Sequence, residues 1–172
     1  QSVTVEMGSV SFQSNIIPVT GESREVLNET LEINGEKLTF CSATIGNPHC
    51  VVLHRTISAE ETLRLGPLIE THPSFPNRTN VQFLEVLNRN TIRIEIWERG
   101  AGYTLASGSS SCAAASVAHR LNLCDTEIVV LMPGGQINIT ISNNYNIIMK
   151  GSVTKIGKMT LDLECLDFEI PA

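Results

Sequence analysis

Apolar and polar residues alternate along most of the chain, which is typical of β-strands with one buried face. The alternation begins at Val3 and is interrupted by Gly8. It returns on both sides of Asn34-Gly35, a pair that readily takes the positive φ angles of a two-residue turn. The pattern therefore predicts an opening strand and a β-hairpin over residues 31–43.

Further runs of apolar residues indicate that the rest of the chain is also largely sheet. A second hairpin is predicted around the turn residues 88–90, because alternating runs lie on both sides of it. In its second arm the isoleucines share one face and the charged residues share the other. Including both arms of that hairpin, strands are predicted at residues 50–53, 81–87, 91–97, 128–132, 137–141 and 159–163.

Two stretches carry helix signals instead. Residues 58–61, with the sequence SAEE, form a capping box and predict a helix from about Ala59 to Glu70. The serines at 109–111 can cap a second helix that ends near Leu121. Its first turns are rich in alanine, so this helix can pack closely against another element.

Composition agrees with a single globular unit. The chain has 172 residues, of which 42% are hydrophobic and 17% charged. We therefore expect one α+β domain over residues 1–172, mainly antiparallel sheet around the two helices. The net charge of −6, without a basic stripe, argues against nucleic acid or an anionic membrane as a partner. No apolar run reaches the roughly 18–20 residues needed to span a bilayer.

The cysteine pattern favours a reducing compartment. The number of cysteines is odd, and none belongs to a C-x-x-C pair or a metal-spaced histidine set, which argues against a disulfide framework or structural zinc. We interpret them as small buried apolar residues and expect a cytoplasmic protein without a metal. The five cysteines are Cys41, Cys50, Cys112, Cys124 and Cys165.

Three polar, loop-like segments adjoin predicted strands, where binding sites are usually built. In the third segment a glycine-rich turn leads into the serine-capped helix, whose free N–H groups and positive dipole end can bind a carboxylate or phosphate. Gly108 lets a ligand approach the backbone, and Ser109 or Ser110 can add a hydroxyl donor. The segments are GNPHC at 46–50, HPSFPNRTN at 72–80 and ERGAGYTLASGSSSC at 98–112.

Charged residues of the third segment extend this chemistry, although every candidate also has a structural explanation. Arg99 can bind a second carboxylate, and Glu98 can hold an ammonium group or act as a base. His49 can equally be a hydrogen-bonded structural residue, and Asn47 and Asn80 can be turn residues. The glycine-rich loop of the third segment can likewise be a plain connection to a capped helix that binds no ligand. We interpret the other candidates as structural, surface or packing residues: His54, His72, His119 and Cys112.

Taken together, the three segments resemble the diaminopimelate epimerase family. The match begins with VEMG at 5–8, includes the three segments in the family's order and continues through residues 107–113. The resemblance implies a fold of two pseudo-symmetric α/β halves with the active site between them. The resemblance further implies that this chain corresponds to the C-terminal half only, without the N-terminal half that carries a catalytic cysteine in a CGNG loop in the family. The resemblance therefore implies that this chain alone is inactive.

The family inverts an α-carbon by removing a proton on one face and delivering one on the other, usually with two cysteines. Its second cysteine lies in the pattern ACGTG, which reads ASGSS at 106–110 here, so Ser107 occupies the cysteine position. Three explanations remain open. Ser107 can be an engineered replacement, or a hydroxyl acid/base assisted by His49 or Glu98. Alternatively, the protein has lost epimerisation and kept ligand binding.

The resemblance also assigns roles and partners. It implies that Ser107, His49 and Glu98 take part in proton transfer. The complete protein is expected to interconvert LL- and meso-2,6-diaminopimelate without PLP, another cofactor or a metal; a related racemase or isomerase acting on another amino or carboxylic acid is the alternative. Expected partners are the small-molecule amino-acid substrate and the protein's own N-terminal half, and a homodimer is compatible. The implied substrate-binding residues are Asn47, Asn80, Glu98, Arg99, Gly108 and Ser109.

Overall fold

The computed structural model describes residues 1–162 and 164, and within them it contains two helices and a ten-stranded sheet. No helix in this part of the chain is long and apolar enough to cross a membrane. The helices are α1, Ala59–Glu70, and α2, Gly108–Arg120. The strands are β1 Ser2–Ser9, β2 Glu29–Ile33, β3 Glu36–Thr44, β4 Pro48–Leu53, β5 Asn80–Asn88, β6 Thr91–Glu98, β7 Gly102–Thr104, β8 Glu127–Met132, β9 Gly135–Ile141 and β10 Asn146–Ser152.

The sheet is mainly antiparallel, as predicted. Its strand order is β1-β10-β9-β8-β6-β5-β4-β3-β2, with β7 paired to β6 beside this path. Only the β4–β5 and β6–β8 pairs within it are parallel. A parallel pair needs a long crossover connection. Helix α1 lies in the first crossover and α2 in the second, so each helix belongs to one of the two connections between parallel strands.

Helix α2 occupies the centre of the fold. It contacts β3, β4, β5, β6, β8, β9 and β10, and its residues from Ser110 to Ala118 are all buried. The sheet curves around it far enough for Ser11, just beyond β1, to bridge Thr44 at the end of β3. The small alanines of α2 allow this close wrapping, which confirms the predicted packing role.

Helix α1 covers the opposite face of the sheet. Its Leu65 and Ile69 belong to a second apolar cluster with Phe40 and Phe83 of the sheet. The helix has the predicted bounds, and the Ser58 side chain accepts a hydrogen bond from the N–H of Glu61, as a capping box requires. The α+β prediction and both hairpins are therefore confirmed.

Several predictions about elements were wrong or incomplete. Helix α2 begins at Gly108 with Ser107 as its N-cap, so the serines 109–111 lie inside its first turn. Gly8 interrupts the pairing of β1, as predicted, because the register with β10 shifts between Glu6 and Gly8, and the strand continues to Ser9. Sequence analysis also missed two strands. These are β7 and β10.

The predicted closing strand at residues 159–163 is not observed. Residues 159–162 carry no strand, because the described chain places no neighbouring strand against them; Met159 and Leu161 are exposed. Leu163 and Cys165 lie outside the described residues. The other four cysteines are free and buried, as predicted, and they are Cys41, Cys50, Cys112 and Cys124.

Candidate active site

Strand register places three of the predicted site residues on one face of the sheet. His49 on β4 pairs with Asn80 on β5. Glu98 ends β6 two residues after Ile96, which packs in the core around α2. Side chains two residues apart on a strand share a face. All three residues therefore face α2, at the strand ends that lie beside the start of this helix.

The amino end of α2 is open to a ligand. Ser107 has an extended backbone (φ −153°, ψ 126°), and its hydroxyl makes no capping hydrogen bond. The first helical N–H groups, at residues 108–110, have no acceptor within the helix, and the first turn contains no acidic residue. A Cβ on Gly108 would lie 3.0 Å from Sδ of Met149, so glycine also permits close packing here. This end is suited to an anionic group.

A hydrogen-bonded chain connects the first segment to this helix end. Nδ2 of Asn47 donates to Oγ of Ser109 over 3.4 Å, and Oδ1 of Asn47 lies 3.0 Å from Nε2 of His49. His49 is completely buried. Burial lowers the pKa of His49 to about 4, and the positive charge of Arg99 adds to this. The imidazole is therefore neutral at pH 7.

Gln82 is a member of the site that sequence analysis missed. It is completely buried on β5, and its Nε2 donates to Oγ of Ser110 over 3.0 Å. Its side chain also opposes the low pKa of His49, because it stabilises the charged ring. The available signal was a polar residue within the otherwise apolar run 81–84. Such a residue must find a partner when it is buried.

Asn80 connects all three segments. Its Nδ2 donates to the carbonyl oxygen of Pro48, and its Oδ1 accepts from the backbone N–H of Arg99, each over 2.9 Å. The guanidinium of Arg99 is otherwise exposed, with Nη1 donating to the carbonyl oxygen of Asn77 over 3.0 Å. Since Asn80 is 6% exposed, it contributes more to holding the segments together than to the open surface.

Glu98 lies half-buried beside this network. Its Oε1 accepts a hydrogen bond from Oγ1 of Thr104, over 3.2 Å. Its carbonyl oxygen accepts from the N–H of Ala101 over 3.1 Å and closes the glycine-rich turn. One carboxylate oxygen remains available for a cationic group or a proton.

Comparison with known proteins identifies the family of this arrangement. Residues 41–156 match the family model described as diaminopimelate epimerase. The chain is 56% identical, over 98% of its length, to a protein named diaminopimelate epimerase 2 from Nostoc sp. (strain PCC 7120 / SAG 25.82 / UTEX 2576). The chain belongs to the diaminopimelate epimerase family.

Two further comparisons define the extent of this family relationship. The chain is 40% identical over 91% of its length to a diaminopimelate epimerase from Alkaliphilus metalliredigens (strain QYMF). It spans only 59% and 56% of the lengths of the two relatives. A solved structure, a probable proline racemase from Agrobacterium radiobacter K84, shares the fold with a TM-score of 0.58 at 14% identity. That match covers 97% of this chain and 55% of the other.

The remaining histidines of this diaminopimelate epimerase family member are bonded locally. Nδ1 of His54 lies 3.0 Å from the carbonyl oxygen of Thr56, and Nδ1 of His119 lies 3.1 Å from that of Cys124. His72 accepts a hydrogen bond from the N–H of Ser74. Burial raises the pKa of Cys112 to about 12. These contacts agree with their structural interpretation, and residues 1–162 and 164 contain no cluster of three acidic, histidine or cysteine residues suited to a metal.

Proposed function

We propose that this chain forms the C-terminal half of an epimerase that interconverts LL- and meso-2,6-diaminopimelate without PLP or a metal. The observation that carries the proposal is a set of hydrogen bonds next to the open end of α2: Asn47 bonds Ser109 of the helix, and Asn80 bonds the carbonyl oxygen of Pro48 and the N–H of Arg99. The names of the relatives support the choice of substrate. Free, buried cysteines support a reducing, cytoplasmic location.

Two-base proton transfer needs a group on each face of the α-carbon. In this proposal Ser107 serves one face and the N-terminal half of the protein serves the other. The Ser107 hydroxyl is not used as a helix cap, so it can exchange a proton. Because serine is a poor unassisted acid or base, Glu98 or the neutral His49 assists it. The α-carboxylate binds at the N–H groups of residues 108–110, which stabilise the negative charge that develops on deprotonation.

The second amino-acid head of the substrate lies away from the reacting carbon. Arg99 is exposed and has guanidinium N–H groups beyond the one bonded to Asn77, so it can bind the distal carboxylate. Glu98 and Asn47 supply oxygen acceptors for an ammonium group. The substrate-binding set of the proposal is Asn47, Asn80, Glu98, Arg99, Gly108 and Ser109.

The N-terminal half is the proposed partner that completes the site. An apolar groove of about 360 Å³ adjoins Ser107 and includes Ala106, Met149 and Val5 in its lining. Val3 and Val5 are 46% and 40% exposed on this surface. Apolar surface next to a site is typical of an interface with another domain. This proposal implies that the chain by itself has no epimerase activity.

The decisive experiment follows loss of the α-proton signal of LL-diaminopimelate by NMR in D₂O, with the complete protein as the catalyst. Variants Ser107→Cys and Ser107→Ala are compared with it, and Ser23→Cys on an exposed loop is the matched control. We expect exchange by the unaltered protein and by Ser23→Cys, and none by Ser107→Ala.

The other outcomes separate the alternatives for Ser107. Exchange only after Ser107→Cys means that the scaffold and substrate are right and that Ser107 inactivates the chain, either as an engineered replacement or in a homologue that only binds its ligand. The replacement of a thiol by a hydroxyl is the observation that favours this second candidate. Silence from all folded variants contradicts diaminopimelate as the substrate and directs the test to other amino acids.

A further inference from the structure

Glu70 occupies an unusual place for a carboxylate. It is the last residue of α1, where the negative end of the helix dipole disfavours another negative charge. It is also only 3% exposed. A buried charge is costly unless hydrogen bonds and opposite charges compensate it. The position of Glu70 therefore needs a specific set of partners.

Both carboxylate oxygens of Glu70 accept hydrogen bonds. Oε1 accepts hydrogen bonds from Nη2 of Arg78 and, over 2.9 Å, from the backbone N–H of Gly100. Oε2 accepts from Nε1 of Trp97 over 2.6 Å. In addition, the carbonyl oxygen of Glu70 accepts from the N–H of Thr79 over 3.2 Å. The donors come from the segments at 72–80 and 97–100.

These partners flank the residues that the proposed function uses for binding. Thr79 precedes Asn80, and Trp97 and Gly100 enclose the Glu98-Arg99 pair in the sequence. The Glu98-Arg99 pair begins a turn. Asn80 holds this turn by accepting from the N–H of Arg99, and Glu70 holds it by accepting from the N–H of Gly100. The turn is therefore fixed at two successive peptide groups, and the carboxylate of Glu70 provides one of the two anchors.

We propose that Glu70 is a positioning residue that holds the Glu98-Arg99 turn in the geometry that binds the distal head of the substrate. The inference rests on the proposed function for its substrate. Glu70 acts through Arg99 and does not touch the substrate. Preorganised binding groups lose less conformational entropy when a ligand binds. Glu98 keeps its own hydrogen bond from Thr104, so loosening the turn weakens binding through Arg99 more than it slows proton transfer.

The test is Glu70→Gln in the complete protein, measured by α-proton exchange of diaminopimelate. Glutamine keeps the size of the side chain, but its amide nitrogen cannot accept a hydrogen bond from these donors. We expect KM to rise about tenfold while kcat changes by less than about threefold, because the lost contacts act on binding. Glu29→Gln is the matched control, since it breaks another Glu–Arg pair, with Arg24. Its KM should stay unchanged.

Two further measurements separate positioning from general stability. Amide hydrogen exchange at residues 98–102, without substrate, should accelerate at least about tenfold in Glu70→Gln and not in Glu29→Gln, because exchange reports local opening. In Arg99→Ala, the additional Glu70→Gln change should raise KM little further, because both act through one group. If Glu70→Gln does not fold, Arg78→Met is the alternative variant. It removes the hydrogen bond that the half-exposed Arg78 donates to Glu70, and it should shift KM and amide exchange in the same direction as Glu70→Gln.

Each result decides between the proposals. Unchanged amide exchange at residues 98–102, or an unchanged KM, overturns the positioning role of Glu70. The role is also overturned if Glu70→Gln raises KM by the same factor in Arg99→Ala as it does in the otherwise unaltered protein. If amide exchange accelerates but the unaltered protein exchanges no proton from diaminopimelate, the anchoring of the turn stands and the proposed function fails.

Discussion

At the scale of single residues, His49 is distinguished by complete burial without charge. Its ring contacts Asn47, and burial lowers its pKa to about 4 from an ordinary 6.5. Such a histidine is neutral in the folded chain throughout the physiological range. The unfolded chain binds the proton at a higher pH than the folded chain does. Acid therefore favours unfolding through this residue.

We predict that the free energy of unfolding falls by up to about 3 kcal/mol through His49 between roughly pH 6.5 and pH 4. The loss begins as the unfolded histidine takes up its proton and is complete once pH falls below the folded pKa. Urea titrations at several pH values measure it. His49→Gln should flatten the dependence. An identical pH slope in His49→Gln and the unaltered protein contradicts the prediction.

Arg99 places an exposed positive charge beside the candidate site, where it can bind a carboxylate. We predict that Arg99→Ala in the complete protein weakens diaminopimelate binding about 10–100-fold, because a charge-assisted hydrogen bond contributes roughly 1.5–3 kcal/mol. Calorimetric titration measures the affinity directly. Arg64→Ala is the control, since Arg64 pairs with Glu36 on the surface. Unchanged affinity in Arg99→Ala would show that the distal carboxylate binds elsewhere.

At the scale of elements, α1 depends on a close approach to β6. A Cβ added to Gly66 would lie 2.6 Å from Cγ of Trp97, well inside van der Waals contact. The same indole donates its N–H to Glu70 at the end of the helix. Gly66 therefore sets the distance between α1 and β6. The hydrogen bond from Trp97 to Glu70 connects this contact to the turn at Glu98 and Arg99.

Gly66→Ala should destabilise the fold, although alanine is the better helix former. The propensity gain is about 1 kcal/mol, and the overlap with Trp97 outweighs it, for a net loss of roughly 1–3 kcal/mol. Urea denaturation gives the value. Leu63→Ala, on the exposed side of the same helix, should change stability by less than about 0.5 kcal/mol. A stabilised Gly66→Ala variant would mean that the helix can move away from the strand.

At the scale of the whole molecule, two apolar layers lie on opposite faces of one sheet. The layer around α2 is enclosed by the curved sheet, and the layer under α1 is covered by the helix itself. The enclosed helix has no face left for solvent between Ser110 and Ala118. Its side chains must therefore be small on every side, whereas α1 needs only one apolar face.

Enlarging the enclosed helix should therefore be costly. We predict that Ala114→Leu destabilises the chain by roughly 1–3 kcal/mol, because a closely packed interior has no room for the added carbons. Ala101→Leu, at an exposed turn, adds the same atoms without burial and should have little effect. Thermal or urea unfolding of both variants measures the difference. Equal stability of the two variants would show a cavity beside α2.

Local chemistry determined much of this protein before any tertiary contact is considered. The positive φ angles of Asn34 and Gly35, at 51° and 84°, are those that the pair favours on its own. Helix α1 follows from its capping box, and the glycine-rich turn that leads into α2 follows from residue types alone. These features are predictable because each depends on neighbours within a few residues.

Tertiary structure decided which segments meet, because pairing depends on distant partners. Strand β10 alternates in exposure, but its sequence NIIMKGS places three apolar residues in succession, so only its pairing with β1 and β9 identifies it as a strand. Residues 159–162 alternate in residue type, but no strand of the described residues pairs with them. The site follows the same rule. A one-residue slip between β4 and β5 would turn Asn80 away from the face shared with His49. Only the register, with Glu70 and Gln82 anchoring neighbouring segments, converts three separate polar loops into one site.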